Sequence, residues 1–575
     1  MKFKLLAASV AVALSQQAVA ATYQLTELPR YENGKHTIIL DANEAGEVIG
    51  QASSLFGVKI DVSYIDFDDS TLTSFYEDEE RRLKKIDEEI TFTLDDIKNN
   101  DAANTNAQAH VFMLSYISSA SRSQSTQYQK VERSLSVTFN NNSAEEFVVF
   151  DEQSPDYDGL TRSVENYLTG ITDDGTIVGW GSAPYQKITF TPEGETEEET
   201  YFVRDWRKKG VMVTPAGEKI RLEPAFTEYG GFSIAVDIKK TIDGGYVVVG
   251  QSSTALSDRA IETIEDNCDG VDEPVEVCTQ SVTAPFHTRA YKWTFDNDFN
   301  LIDTIDLGLA FTPDEDDELA YSSMATATNA SGLAVGFSRA RRQSDDERLP
   351  YEQAVYFKDG EIKRIKEVES YYEYSKAVDV NDNGIIVGVF GRLTGSSRDT
   401  NSTGFYFDTN TSEFKEIPGY YDNSITKVGD INNNGVVVGH GVATKSDSIF
   451  DREAFIYEIG AEKVVNINSL LPCRGDDFPY TVAEAVKITD DNKIYAIARK
   501  TVERRNTLGG IEKDSSGEIE YESVTLPVLL TPIAGEPESC TPPEAETYER
   551  QSASWSWLTL LALPLVALRR RRNTN

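Results

Sequence analysis

Two runs of oxygen-bearing side chains are the part of this sequence that looks most like chemistry. Asp379-x-Asn381-x-Asn383-Gly384 and Asp430-x-Asn432-x-Asn434-Gly435 open as a calcium loop does. Such a loop ends on a bidentate Glu at its twelfth position, but Phe390 and Gly441 stand there. The residues after each Gly are branched and apolar and lead straight into a strand pattern. A tight turn accounts for every residue of both runs, because Gly supplies a positive φ and Asn and Asp tolerate one. Calcium is the one ion the pattern admits, and no metal or cofactor is expected.

Histidine gives little more. His36, His110, His287 and His440 are the only four, and none has metal-ligand or nucleophile-elbow spacing. His110 opens an apolar run and is expected to be structural. His440 follows a hairpin Gly and is the one placed to reach a central channel. With 95 acidic residues, a carboxylate pair of the glycosidase kind could be assembled anywhere, so acids alone carry no weight. No catalytic residue is assigned.

The four cysteines are an even number, without the Cys-x-x-Cys spacing of a zinc site. Cys268 and Cys278 lie in one insertion and are expected to clip it. Cys473 and Cys540 follow strands of the last two repeat units. Their bridge would close a loop of about 67 residues, worth on the order of 4 kcal/mol in chain entropy.

The elements that must position these groups come from a repeated phrase. It reads small/apolar, Asp, apolar, Asn/Thr, polar, Asn/Asp, Gly, then an apolar triplet ending in Gly. The clearest copies run from Ala377 to Gly388 and from Val428 to Gly439, and weaker ones end at Gly50, Gly179, Gly250 and Gly336. A degenerate seventh runs from Ala485 to Ala498. Each copy predicts a tight hairpin. An aromatic third strand is expected at His110-Val-Phe-Met-Leu114, Tyr201-Phe-Val203, Ala290-Tyr-Lys-Trp293, Ala354-Val-Tyr-Phe357, Gly404-Phe-Tyr-Phe407, Ala454-Phe-Ile-Tyr457 and Leu526-Pro-Val-Leu-Leu530. A short fourth strand follows, with Phe147-Val-Val-Phe150 and Val211-Met-Val213 as the first two.

Seven units of four strands predict an all-β fold, a seven-bladed β-propeller. The seventh unit lacks a fourth strand of its own, and Thr22 to Pro29 has that character. Pairing the two would close the ring and leave no open edge. Surplus length falls between second and third strands, at 53–109, 253–288 and 501–523, which puts the insertions on one face. The first is expected to carry a helix over 77–100, with Leu83, Ile86, Ile90, Leu94 and Ile97 on one stripe.

Both termini read as addresses. Lys2 and Lys4 precede the apolar run Leu5 to Leu14, and Ala18-Val-Ala20 predicts signal cleavage between Ala20 and Ala21. Trp555 to Leu568 is a short apolar segment followed by Arg569 to Arg572, a cluster that should stay cytoplasmic. The division is a signal peptide over 1–20, a propeller over 21–535, a linker over 536–554 and a membrane or sorting tail over 555–575. The formal net charge is −40, so nucleic acid is not an expected partner.

The phrase Ala-x-Asp-Ile/Val-Asn-x-Asn-Gly-x-Val-Val-Gly, followed by small-aromatic-x-aromatic, resembles the HAF-type extracellular repeat of bacteria, a secreted family of unknown function. The tail resembles a GlyGly-type sorting signal, although Gln551-Ser-Ala-Ser554 stands where Gly-Gly is usual. That resemblance implies engagement of the inner membrane, cleavage by a rhomboid-like protease and passage to the cell surface or medium. Insertions on one face and no recognisable nucleophile point to a monomeric binding scaffold for a glycan, a peptide or an envelope protein. A polymer hydrolase or lyase at the channel, and an acidic structural component of the surface, are the alternatives.

Overall fold

The computed structural model describes residues 21–538, except for 120–121, 123–124, 141, 155–158, 269–271, 283–284, 315–318, 342–350, 367–373, 394–399, 446–451, 476 and 515. Seven four-stranded antiparallel sheets form a seven-bladed β-propeller. Their inner strands are Gly34–Ala42, Asn166–Ile171, Ser233–Lys240, Ser323–Thr328, Ser375–Val380, Thr426–Ile431 and Thr481–Ile488, for blades 1 to 7. Blade 7 takes its outer strand from the N-terminus. Ala21–Glu27 runs antiparallel to Tyr521–Ala534, with Leu25 opposite Leu530 and Thr26 opposite Leu529. The predicted closure is the one observed.

Each inner strand carries a β-bulge at the same place, after Ile39, Leu168, Ala235, Ala325, Ala377, Val428 and Ala485. The bulge explains the Gly that ends each phrase. A Cβ on Gly336 would sit 2.0 Å from the Met324 carbonyl oxygen, and one on Gly439 would sit 2.1 Å from that of Lys427. Blade 7 has Ala496 here, and its inner strand carries a further bulge between Val482 and Glu484. Gly336→Ala is therefore expected to lower stability by about 1–3 kcal/mol, the usual cost of forcing atoms into a filled site. Denaturant titration checks this, and an unchanged midpoint would show that the inner strand yields freely.

Ala235, Ala325, Ala377 and Ala485 are fully or almost fully buried between neighbouring blades. Farther from the axis the gap widens, and Trp293, Phe405 and Phe455 fill it. This taper accounts for the small-to-aromatic gradient from first to third strand.

Two of the expected third strands lie elsewhere. His110 to Leu114 belongs to a helix, and blade 1 uses Ser134–Phe139 and then Ala144–Glu146, ahead of Phe147. In blade 2, Tyr201 to Val203 pairs with Gln186–Phe190 in a side hairpin. The strand Lys209–Val213, expected to be fourth, is third, and Lys219–Leu222 is fourth. Among the described residues, the first insertion holds not one helix over 77–100 but four: α1 (Ser70–Lys85), α2 (Leu94–Asn100), α3 (Ala102–Thr105) and α4 (Ala107–Ile117). Asp87 takes a positive φ just after α1, and Thr93 caps α2 through a capping box. Ile86, expected on the buried stripe, is 54% exposed, whereas Leu83 and Ile97 are buried. The helices enclose a core of their own, in which Phe75, Phe92, Phe112 and Tyr116 meet ring to ring.

The blade 3 insertion, expected over 253–288, holds α5 (Asp258–Cys268) and α6 (Val275–Ser281). The expected Cys268–Cys278 disulfide clips them, with Cα atoms 5.5 Å apart. The expected Cys473–Cys540 bridge ends on a residue outside the described ones. So do the signal segment before Ala21 and the tail beyond 538. Among the described residues, no helix is long and apolar enough to cross a membrane.

Candidate functional site

The Asp and Asn of the repeated phrase turn out to wire one blade to the next. Asp41, Asp237, Asp379 and Asp430 each accept the backbone N–H of the next blade's inner strand, from Ile171, Thr328, Ile431 and Ile488. At the turn position two residues further along the phrase, Asn43, Asn381 and Asn432, and Asn329 in blade 4 where Ala327 replaces the Asp, donate to carbonyls of Thr172, Asn432, Thr489 and Asn381 respectively. Thr169 Oγ1 bonds to Ala235 O between blades 2 and 3, and Asp490 N–H bonds to Glu44 between blades 7 and 1. The Asn381 and Asn432 side-chain oxygens also accept two N–H groups of their own turns. No group of His, Cys, Asp and Glu among the described residues is arranged to hold a metal ion.

At the axis this wiring gathers charge. Lys487 Nζ lies 3.0 Å from Asp430 Oδ1 and 3.8 Å from Asp41 Oδ1, and Lys239 Nζ lies 3.5 Å from Asp237 Oδ1. Burial pushes the Asp430 carboxyl up to about 8, against the pull of Lys487 and with the help of Asp379. Burial also works against Asp379, yet Lys487 and a hydrogen bond from Asp430 hold it below the usual carboxylate range. The surroundings thus press Asp430 towards its neutral form and Asp379 towards its charged one. Burial alone would depress Lys487, and the carboxylates of Asp430, Asp41 and Asp379 instead hold it well above its ordinary value.

The histidines are scattered. His110 is fully buried in α4, with Nε2 2.8 Å from Val58 O and Nδ1 2.8 Å from Thr507 Oγ1. It ties the first insertion to the blade 7 hairpin. His36 Nδ1 accepts the Thr525 N–H across the ring closure. His287 Nδ1 is buried without a partner. His440 lies between blades 6 and 7, with Nδ1 3.5 Å from Glu484 Oε1, while Arg452 pairs with Glu484 at 3.4 Å. Burial, aided by Arg452 and Lys427, pushes the His440 imidazole down to about 3. The contact with Glu484 is therefore polar, made by a neutral ring. His440 is not brought together with the Asp379–Asp430 pair.

The four longest insertions meet in one wall at the end of the ring away from the wired turns. The blade 7 hairpin joins the first insertion through Thr507, which also accepts the Gly57 N–H at 2.8 Å. The first insertion meets the blade 2 side hairpin through Lys187 and Asp61, 3.3 Å apart, and through Tyr64 edge-on to Phe202. That hairpin packs Tyr201 and Val203 on Val277 of α6.

Along the base of the wall runs Arg204-Asp-Trp-Arg-Lys-Lys209. The Arg204 guanidinium lies 4.9 Å from the Tyr185 ring centre, and its Nη1 is buried without a hydrogen-bond partner. The Trp206 Nε1 is likewise buried and unpartnered. Lys208 lies 4.1 Å over Trp180, which stacks on Tyr167. Burial lowers Lys208, with Glu165 opposing and Arg204 adding to the effect. Burial and then Arg204 likewise lower Arg207, and bring Lys130 down to about 8. Arg204 thus sets like charge beside Arg207, Lys208 and Lys130, with Glu165 offsetting part of it at Arg207 and Lys208, in a chain of net charge −40. Sequence reading passed over this segment, whose basic run in an acidic chain was the available signal.

Ring closure, wired turns and a one-sided wall of insertions define a seven-bladed β-propeller with an elaborated face. The chain belongs to the family described as protein of unknown function (DUF3466), whose model matches residues 1–571. No curated protein matches it. Among solved structures it is similar to puromycin hydrolase, at 11% identity and a TM-score of 0.33 over 64% of this chain and 46% of that one. It is also similar to the β-propeller domain of the trilobed protease of Pyrococcus furiosus, at 10% and 0.30 over 62% and 95%. A third is Pyrococcus horikoshii acylaminoacyl peptidase, at 13% and 0.30 over 62% and 52%. The chain spans about half the length of the first and third of these.

Proposed function

We propose that this protein is a non-catalytic binding scaffold of the cell envelope or medium, with its ligand held on the insertion-bearing face. The observation that carries this reading is the cation–aromatic cluster at the base of the wall. Like charges are gathered there at a cost, and an anionic or polar ligand would relieve it. A glycan, a peptide or an envelope protein would fit such a face. The axial acids support a hydrolase less well, because Asp379 and Asp430 each already hold a backbone N–H of the next blade. The signal-like segment over 1–20, the HAF-type repeats and the sorting-like tail over 555–575 support export, with the tail removed at or in the inner membrane.

A screen of glycans and envelope proteins with the purified protein tests the binding reading. Lys208→Glu is expected to weaken a detected interaction about tenfold, the worth of one close interfacial charge pair. Turnover of a polymer that is lost on changing Asp430 to Asn, with the fold intact, would replace this reading with the hydrolase.

A further inference from the structure

We propose that the cleft between α5–α6 and the 203–207 segment binds a carboxylate carried on an apolar body. This rests on the binding reading above and names the ligand chemistry of one part of that face. The cleft has a volume of about 330 Å³, the low end of the range for small-ligand sites.

Its walls divide by chemistry. Ile264 and Val275, from the disulfide-clipped pair, and Phe286, opening the third strand of blade 3, supply an apolar side. Arg204, Trp206 and Arg207 supply the polar side. Arg207 is already committed, since its Nη2 donates to Gln280 O and to Val282 O. Arg204 is not, because its Nη1 is buried without an acceptor and no carboxylate among the described residues pairs with its guanidinium. The indole N–H of Trp206 is a second buried donor without an acceptor. Buried donors of this kind lose their water without replacement, so an acceptor that enters the cleft and is met by a small shift of these side chains recovers what folding gave up.

The acceptor's charge follows from the lining. Arg204 and Arg207 face Asp205 and Glu276 in the same cleft, so a dianion would meet repulsion that a monoanion largely avoids. An arginine fork matches a planar carboxylate. The apolar side then selects a carboxylate with an aromatic or branched body. Two sources share that chemistry, a free aromatic or branched carboxylate and the C-terminus of a peptide ending in such a residue.

The clip has a role in this site. The backbone and side chain of Gln280 in α6 hold the arginine segment, through the Arg207 bond and through Gln280 Nε2 to Arg204 O at 3.1 Å. Cys268–Cys278 fixes α6 against α5. Losing the disulfide should loosen the apolar wall while leaving Arg204 in the chain.

Calorimetric titration of the purified protein decides the matter. The probes are N-acetyl-phenylalanine, its neutral amide, and a short peptide ending in a free Phe carboxylate. The acid is expected to bind at least tenfold more tightly than the amide. Arg204→Gln should abolish that preference without changing the circular dichroism spectrum, and Arg204→Lys should restore part of it. Replacing Cys268 and Cys278 together by Ser should weaken acid and amide alike. Tighter binding of the peptide supports the peptide-terminus source, and tighter binding of the single amino acid supports the free carboxylate. Equal affinity for acid and amide, no binding of either, or a preference that survives Arg204→Gln overturns the proposal. If Arg204→Gln does not fold, the acid–amide comparison in the unaltered protein decides alone. Failure here with glycan or protein capture intact sinks only this site. Cleavage of a probe during titration would sink the non-catalytic reading and leave the site.

Discussion

Replacing Lys487 by Met should cost about 3–5 kcal/mol of stability near pH 8, the range for stripping one partner from a buried charge cluster. The ammonium is the main counter-charge of Asp41, Asp379 and Asp430, which come from three different blades. Without it, those carboxylates face one another with Lys239 left as a cation acting on Asp41 and Asp379. The loss should shrink as the pH falls towards 5. In the unaltered protein Asp430 is held up to about 8, while an unfolded Asp titrates near 4. Between those values the folded chain keeps a proton that the unfolded chain has released. Stability from this group therefore falls as pH rises from about 4 to about 8. Glu132, which burial pushes up to about 8 against Arg162, adds to the same slope. Asp379 has the opposite sign, but its contribution is lost only below about pH 4. Removing Lys487 raises the remaining acids further and so steepens the slope. Denaturant midpoints at pH 5.5 and pH 8 for both proteins measure this. A variant as stable as the parent at pH 8 would mean that water in the channel, and not Lys487, carries the load.

Removing residues 21–27 is expected to end cooperative unfolding and to drive self-association. Ala21–Glu27 pairs with the Val528–Ala534 half of the strand Tyr521–Ala534, and Tyr23 is 4% exposed in the core shared with Leu526 and Leu530. The deletion strips a large aromatic from a packed core, a loss of about 3–5 kcal/mol by itself. It also bares a long apolar edge strand, which is a template for pairing with another chain. Size-exclusion chromatography and thermal melts monitored by circular dichroism read both effects. A monomer with a single sharp transition would show that the ring holds without its closure.

The repeat made the blade count and the closure readable, because each phrase carries its own turn chemistry and Thr22 to Pro29 supplied the one missing strand. Two strand assignments failed for a shared reason. His110-Val-Phe-Met-Leu and Tyr201-Phe-Val are apolar and aromatic, and strand pattern over so few residues does not say which partner is used. Asn106 was the missed sign in the first case, since its side chain caps α4 by accepting the Ala109 N–H. Ser134-Leu-Ser-Val-Thr-Phe139 alternates as a strand should and was open to reading. The turn role of Asn381 and Asn432 was legible because it is local. Their hold on the next blade was not, since the partner carbonyls of Asn432 and Thr489 lie 51 and 57 residues away. The cleft was hidden more deeply, because Arg204, Ile264 and Phe286 meet only when two insertions fold together.

The wiring of the hairpin turns has a consequence for how such a protein can change over generations. All of it lies at one end of the ring, and the second-to-third-strand connections leave from the other. A segment as long as the one between Leu55 and Ser134 can be gained or lost there without disturbing the Asp and Asn bonds between blades. A change in one of those acids or amides, by contrast, is felt by two blades at once. Descendants of this architecture should therefore diverge in the length and chemistry of the insertion end while keeping the wired end nearly fixed. The chain is divided into a conservative half that maintains the ring and a permissive half on which new recognition can be tried.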